Sequence, residues 1–356
     1  MKLINFSYQD PYLELNDFSL DEVSLLVGKN SSGKTRTLNT IDLLVKMITQ
    51  KKSLNWGAKW NATFKTFNED IIDFSFATSL DEGGVNAEKI QINGVVVLLR
   101  SKDGSVELKN KLTGGKDVVY PPQNKLTFHT NRDVRKYPYL EEIVNWAEQS
   151  YGFKFGNISP YLRLDIQEYD LLTAVEDIPS LFTQLKAGSK ENLLADFNEI
   201  GYKIEAIRVQ ENNQTPILFF KEAHVEKAIP HYKISQGMFR ALSMIIFLEY
   251  LIVRKKPTTI IIDDLCEGLD YERATKLGKL VFRKCLDNDI QLIATSNDSF
   301  LMEVVDVKYW NILRREGKKI ESINHANYPE VFEKFRYTGL SNFDLFSSDF
   351  LQQQHV

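Results

Sequence analysis

The spacing of apolar positions changes along the chain, and each change predicts a different element. In the first 27 residues the runs KLINFSYQ, YLELNDF and EVSLLVG, separated by Pro11 and acidic turn residues, read as short strands. From Thr35 the apolar side chains Leu38, Ile41, Leu44, Val45 and Ile48 recur at helical spacing to about residue 50. Between the last strand and this helix lies the Gly/Ser-rich turn GKNSSGKT.

From about 62 to 130 the period shortens to that of strands, in IIDFSFATS, KIQING, VVVLLRS and SVELKNK, with KDG marking a hairpin between the last two. This predicts an inserted antiparallel β subdomain beside the turn. Residues 138–205, beginning PYLEEIVNWAEQ and including IPSLFTQLKAGSKENLLADFNEIG, read as mostly helical, without the sustained heptads of a coiled coil. The last third alternates. A strand pair, KIEAIRV and ILFF, precedes the helix GMFRALSMIIFLEYLIV and the buried strand TTIIID. A helix over 271–287, the strand IQLIAT and the strand-like KYWNILRR follow. Alternation of this kind predicts an α/β fold with a mainly parallel sheet flanked by helices. One domain is expected, with N-terminal strands, turn and first helix in 1–60, the β subdomain in 61–130 and a helical region with strands in 131–230. Residues 231–325 hold the last α/β units and 326–356 a tail.

Composition adds limits. The 356 residues are 43% hydrophobic and 26% charged, as in ordinary globular chains. No apolar run reaches the roughly 18 residues of a membrane span, and MKLINFSYQDPY lacks signal-peptide character, so a cytoplasmic protein without a membrane partner is expected. The cysteines Cys266 and Cys285 form no CxxC pair and read as buried free thiols. A formal net charge of −4 gives no global attraction to nucleic acid, although a local basic surface remains open to it.

The turn carries the chemistry. Gly28, Lys29, Asn30, Ser31, Ser32, Gly33, Lys34 and Thr35 fit G-x-x-x-x-G-K-[ST], the phosphate-binding loop or Walker A motif, with Arg36 just inside the helix. Its glycines allow a backbone that turns N–H groups inward, and the helix N-terminus adds partial positive charge. Lys34 is expected on the β- and γ-phosphates and the Thr35 hydroxyl on Mg2+. Mg2+ also needs a carboxylate at the end of a neighbouring buried strand, and Asp263 stands there. Alone, Asp263 and Asp264 would equally suit a solvated strand-end turn.

The segment IDDLCEGLD resembles LDEPTSALD of ATP-binding-cassette (ABC) ATPases and the matching segment of SMC-like heads. ISQGMFRALSMIIFLEYL resembles the ABC signature, keeping Ser235 and Gly237 around Gln236. By itself Ser235-Gln236-Gly237 is a helix-cap pattern. The order of motifs along nearly the whole chain is also that of an ABC head. The resemblance implies ATP and Mg2+ as ligands, with Asp263 on the metal and Asp264 on the attacking water. It further implies a head-to-tail homodimer, in which Ser235, Gln236 and Gly237 meet the γ-phosphate held by the other subunit and Asp270 lines the seam.

Departures select the branch. Asp264 replaces the glutamate of fast ABC ATPases, which implies slow hydrolysis or ATP-driven dimerisation. Ser296 and Asn297 stand where transporter heads carry a switch histidine; they can hydrogen-bond the phosphate or water but not carry histidine's charge. S-x-G-x-x-R, ending at Arg240, is similar to compact ATPases of the overcoming-lysogenization-defect (OLD) group, many of them in bacterial anti-phage systems beside a nuclease or toxin. About 50 residues follow ATSND, too few for the Toprim nuclease domain of OLD enzymes, so an effector is expected on another polypeptide. For the Mg2+-ligating glutamine of ABC heads the candidates are Gln123, or Asn131 or Arg132 in its stead; a surface loop suits each as well. His129 reads as a packed or capping histidine. Lys125, Arg132, Arg135 and Lys136 suit a solvated face or, if coplanar, a contact with phosphate backbone, and the aromatic tail from Tyr328 to Phe350 suits core packing or a docked partner. Two other readings stay open: a DNA-repair or chromosome-maintenance head acting on DNA, and a transporter ATPase subunit.

Overall fold

The computed structural model describes residues 1–52, 56–79, 84–159, 178–212 and 215–347. Its first third runs β1 (Lys2–Gln9), β2 (Glu14–Ser19), β3 (Val23–Val27), α1 (Lys34–Ile48), β4 (Ala58–Lys65), β5 (Ile71–Ser79), β6 (Gly84–Ile92), β7 (Val95–Arg100), β8 (Val106–Lys109) and β9 (Lys116–Val119). The middle holds α2 (Pro138–Glu148), β10 (Ser150–Lys154), α3 (Ile178–Thr183), α4 (Ala187–Glu199), β11 (Ile204–Asn212), β12 (Thr215–Glu222) and β13 (Ile229–Pro230). Last come α5 (Gln236–Arg254), β14 (Thr258–Asp263), α6 (Tyr271–Asp287), β15 (Ile290–Thr295), α7 (Ser299–Val304), β16 (Trp310–Glu316), β17 (Lys319–Asn324), α8 (Pro329–Arg336) and α9 (Asn342–Ser347).

Strands β10, β14, β15, β3 and β16 lie side by side in parallel, as the alternating last third predicts. Every residue of β3, β14 and β15 is buried, because helices cover both faces. Leu25, Val27, Ile260, Ile262 and Leu292 face one core with α5 and α6, whereas Leu26, Ile261 and Ile293 share the other with Leu38, Ile41 and Leu44 of α1. The antiparallel meander β2-β1-β4-β5-β6-β7-β8-β9 is present, but it is no separate sheet. β17 pairs antiparallel with β16 and parallel with β2, which joins all of it, among the described residues, into one sheet of 14 strands. Trp60, Phe64 and Phe74 of the meander lie in the same core as α1, so both parts of the sheet close on that helix.

The region expected to be mostly helical also contains β10, a sheet-edge strand. The strand pair expected near 205 and 218 exists as β11 and β12, in a small antiparallel sheet with β13. Among the described helices α5 alone is long and apolar enough to cross a membrane, and 67% of that stretch is buried inside the fold. Both cysteines are buried and free, and burial pushes their thiols up. In the tail Phe332 and Phe335 belong to the core while Tyr337 is 87% exposed; Phe350 and LQQQHV lie outside the described residues.

Candidate nucleotide-binding site

β3 ends at Val27 and α1 starts at Lys34, so the loop between them opens at the carboxyl edge of the parallel strands. Ser31 and Gly33 take left-handed backbone, φ 67 and φ 100. A β-carbon on Gly28 would stand 2.4 Å from Ser32 Oγ and 2.9 Å from the Leu313 carbonyl, and one on Gly33 would stand 2.2 Å from Ile320 Cδ1. Both glycines are thus required by the pressure of β16 and β17 on the loop. The Lys34 ammonium is folded back into it, donating to Gly28 O at 2.6 Å and Lys29 O at 3.4 Å. Burial pulls its pKa down, against the opposing charges of Asp264 and Asp263. Ser32 Oγ is buried without a hydrogen-bond partner. A cation resting on carbonyls and an orphaned hydroxyl suit a loop shaped for an anion. Lys29, Asn30, Ser31 and Arg36 are exposed around it.

The carboxylates sit beside the loop. Asp263 Oδ1 accepts from Thr35 Oγ1 at 3.0 Å and from Thr295 Oγ1 at 2.8 Å. Thr295 Oγ1 also accepts from the Asp264 N–H at 2.8 Å, fixing a residue whose φ is 54. Asp264 Oδ1 accepts from Asn297 Nδ2 at 3.0 Å, and its Oδ2 lies 3.2 Å from Lys154 Nζ. Ser296 is buried, and its hydroxyl accepts from Asp298 N at 3.0 Å, so its neighbour Asn297 is the residue that touches Asp264. The 3.0 Å between Thr35 Oγ1 and Asp263 Oδ1 matches the edge of an octahedron with metal–oxygen bonds of about 2.0–2.1 Å, that of Mg2+. No group of three or more His, Cys, Asp or Glu is gathered among the described residues, so this pair fits a metal that brings phosphate and water as its other ligands.

Ser235 caps α5, accepting from Met238 N at 3.2 Å, and Gln236 beside it is exposed. A β-carbon on Gly237 would meet Leu269 Cδ2 at 3.2 Å and Gly268 O at 3.3 Å, so the start of α5 is seated against the turn after β14. Arg240 fastens that seat, donating to Ile158 O at 3.3 Å, to Glu267 O at 3.0 Å and to Gly156 O. Asp270 caps α6, accepts from Arg273 N at 3.1 Å and Arg273 Nη1 at 2.6 Å, and stays exposed; the Arg273 backbone hydrogen bond, with the guanidinium, holds its carboxyl below the usual range. Among the described residues no hydrogen bond links Ser235, Gln236 or Gly237 to the loop at 28–35.

Gln123 is not brought to the site. It is exposed, and its carbonyl accepts from Val85 N at 2.7 Å. Its neighbours Lys125 and His129 bind Gln50 Oε1 and the Met47 and Ile48 carbonyls, at the C-terminal end of α1. Thr35 is at the other end of that helix, about 20 Å away. Arg132 pairs with Glu141 and Glu148 on α2, toward the amino edge of β10, so it and the adjacent Asn131 are also remote from Asp263. His129 is the capping residue expected. Its Nε2 donates to both carbonyls while its Nδ1 accepts from Leu126 N at 3.3 Å, which fixes the neutral tautomer, and burial lowers its pKa to about 4. Two residues touching the carboxylates escape the sequence reading: Thr295, signalled only as the last residue of a buried strand, and Lys154, at the end of β10.

No protein-family model and no curated protein matches the chain. Solved structures do. An SMC head bound to the C-terminal winged-helix domain of ScpA is similar with a TM-score of 0.59 at 13% identity, over 93% of this chain and 100% of that one. An SMC head with an extended coiled coil, bound to the C-terminal domain of ScpA from Pyrococcus furiosus, gives 0.55 at 12%, over 94% and 99%. The SMC head domain of Thermotoga maritima gives 0.51 at 12%, over 91% and 99%. Across nearly its whole length, the chain has the fold of an SMC-type ATPase head.

Proposed function

We propose that this chain binds ATP with Mg2+, closes on two nucleotides as a homodimer and hydrolyses them slowly. The observation that carries the reading is the Thr35–Asp263 contact at 3.0 Å, which joins a complete phosphate-binding loop to the carboxylate of a neighbouring strand. Lys34 and the loop N–H groups hold the phosphates, and Thr35 and Asp263 hold Mg2+, which when bound neutralises phosphate charge. Asp264 orients the attacking water and accepts its proton. Ser235, Gln236 and Gly237, exposed or half-exposed and unlinked to their own loop, meet the phosphate of a second copy, with Asp270 at the seam. A helix N-terminus offered to an anion is the physical basis of that contact.

The dimer works as a cytoplasmic switch for a separate effector, a nuclease or toxin of an anti-phage system. The S-x-G-x-x-R pattern supports the branch, and similar heads seen bound to a second polypeptide support a load on another chain. A second reading, a chromosome-maintenance head acting on DNA, draws equal support from the likeness to SMC heads. Ser296 and Asn297 in place of a histidine speak against a transporter subunit.

Nucleotide titration tests the core of this. Wild-type protein should bind ATP and Lys34→Ala should not; unchanged affinity sinks the loop assignment. DNA affinity that rises with ATP and falls steeply with salt selects the second reading, and ATP-dependent capture of an effector without DNA affinity selects the first.

A further inference from the structure

Lys154 is a cation on a fixed mount. Parallel pairing of β10 with β14 sets it opposite Asp263, so its side chain leaves the sheet at the edge where the phosphate loop opens. Two residues earlier, Gly152 lies flush on α1, where a β-carbon would meet Asp42 Oδ1 at 2.3 Å. Just after it, Phe155 is fully buried and the Gly156 and Ile158 carbonyls are held by Arg240. The backbone is therefore tied on both sides of a side chain that is itself 42% exposed.

Its present partner is Asp264, at 3.2 Å, and that bond holds it in the ammonium form by raising its pKa. With Asn297 on Oδ1 and Lys154 at Oδ2, both oxygens of Asp264 are engaged. Each oxygen keeps a second lone pair, but an ammonium on Oδ2 stabilises the anion and makes it a poorer base for a water proton. Asn297 is neutral and Lys154 charged and part-exposed, so the lysine is the partner that an incoming anion would remove. A γ-phosphate, carrying more negative charge than one carboxylate, outcompetes Asp264 for it.

We propose that Lys154 is a γ-phosphate ligand held in reserve on Asp264, and that ATP moves it from the carboxylate to the phosphate. This rests on the ATP reading above and adds a trigger to it. Departure of the ammonium makes Asp264 Oδ2 a stronger base; water oxygen then bonds to Pγ, the bond to the β-phosphate oxygen breaks with its electron pair leaving on ADP, and the water proton passes to Asp264. Lys34 and Lys154 thus approach the phosphate from different elements, one from the start of α1 and one from the end of β10.

Binding of ATP and ADP, each with Mg2+, to wild-type, Lys154→Ala and Lys154→Arg tests the exchange. Lys154→Ala should weaken ATP about tenfold, the low end for a charge-assisted hydrogen bond, and leave ADP unchanged, with Lys154→Arg partly restoring ATP. Asp264→Asn should tighten ATP when Lys154 is present and much less in the double variant with Lys154→Ala. Equal loss of both nucleotides, or an unaltered ATP preference with slowed turnover, overturns the assignment, since Lys154 then only positions Asp264. Unchanged melting temperatures show that the variants fold. Wild-type protein that binds neither nucleotide overturns the ATP reading itself; wild-type that prefers ATP while Lys154→Ala keeps the same preference overturns only the role of Lys154.

Discussion

Thr295→Val removes one hydroxyl and loosens both carboxylates. In the native chain that hydroxyl donates to Asp263 Oδ1 at 2.8 Å and accepts from the Asp264 N–H at 2.8 Å, in a residue with no solvent exposure. The first bond ends on a carboxylate, worth about 1.5–3 kcal/mol, and losing the second orphans a donor at about 1 kcal/mol or more. We expect a stability loss of about 2–4 kcal/mol by urea denaturation. Function should fall further than stability predicts. Asp264 keeps a left-handed φ of 54 that an L-residue holds only when anchored, and the lost N–H bond is that anchor. ATP turnover should drop at least about tenfold with saturating ATP, while ATP binding through Lys34 persists. Thr295→Ser keeps the hydroxyl and should retain most of both properties. A Thr295→Val protein as stable and as active as wild type, or a Thr295→Ser protein as damaged as Thr295→Val, refutes the relay.

Asp264→Asn should keep ATP binding, suppress turnover and lengthen the life of an ATP-bound dimer in size-exclusion chromatography; undiminished turnover assigns the water to another group. Gly268→Ala places a β-carbon 2.4 Å from Arg240 Nη1 at a φ of +82, so it should leave ATP binding intact but weaken ATP-dependent dimerisation, read by light scattering. Arg100→Met strands Glu88, whose side chain is fully buried, without its cation and should cost about 3–5 kcal/mol, with Glu88→Gln in the same chain recovering much of it. His129 has a folded pKa of about 4, below its unfolded value of about 6.5, so its contribution is complete above about 6.5 and is lost as pH falls toward 4. Allowing for its partial exposure, wild type should lose about 1 kcal/mol relative to His129→Gln between pH 7 and 5, and a pH-independent difference would contradict the neutral cap.

What could be read from sequence was local. The loop at 28–35 needs only neighbouring residues to be recognised, and the all-buried strands Val23–Val27 and Thr258–Asp263 announce themselves as unbroken apolar runs. β4 carries a strict alternation of buried Ala58, Trp60, Ala62 and Phe64, yet intervening Lys, Asn and Thr and two small alanines dilute it. β10 has five residues, a glycine in the middle and a helix before it, which leaves no period to detect. Gln123 has the residue type of the Mg2+ glutamine but stands in the wrong place, because its segment returns to the far end of α1. Lys154 and Thr295 were illegible for a different reason. Each gains its role from parallel pairing that sets three strand ends, distant in sequence, next to one another.

That pairing also bears on how the two halves of the site communicate. On the proposed reading the loop, Asp263 and Asp264 form the half this chain would offer its own nucleotide, and the start of α5 the half it would offer a partner. They are bridged by Arg240, which grips the segment after Lys154 through Gly156 O and Ile158 O and the turn after Asp264 through Glu267 O. Gly237 is packed on that same turn, against Gly268 and Leu269. A shift of Lys154 or Asp264 on nucleotide binding would therefore reach the exposed cap at Ser235 through carbonyls bound to a single guanidinium, whose planar fork tolerates little change in their spacing. A rigid bridge of this kind suits the proposed switch better than a fast enzyme: occupancy in one chain would set the geometry offered to the other, and hydrolysis would be needed only to reset it.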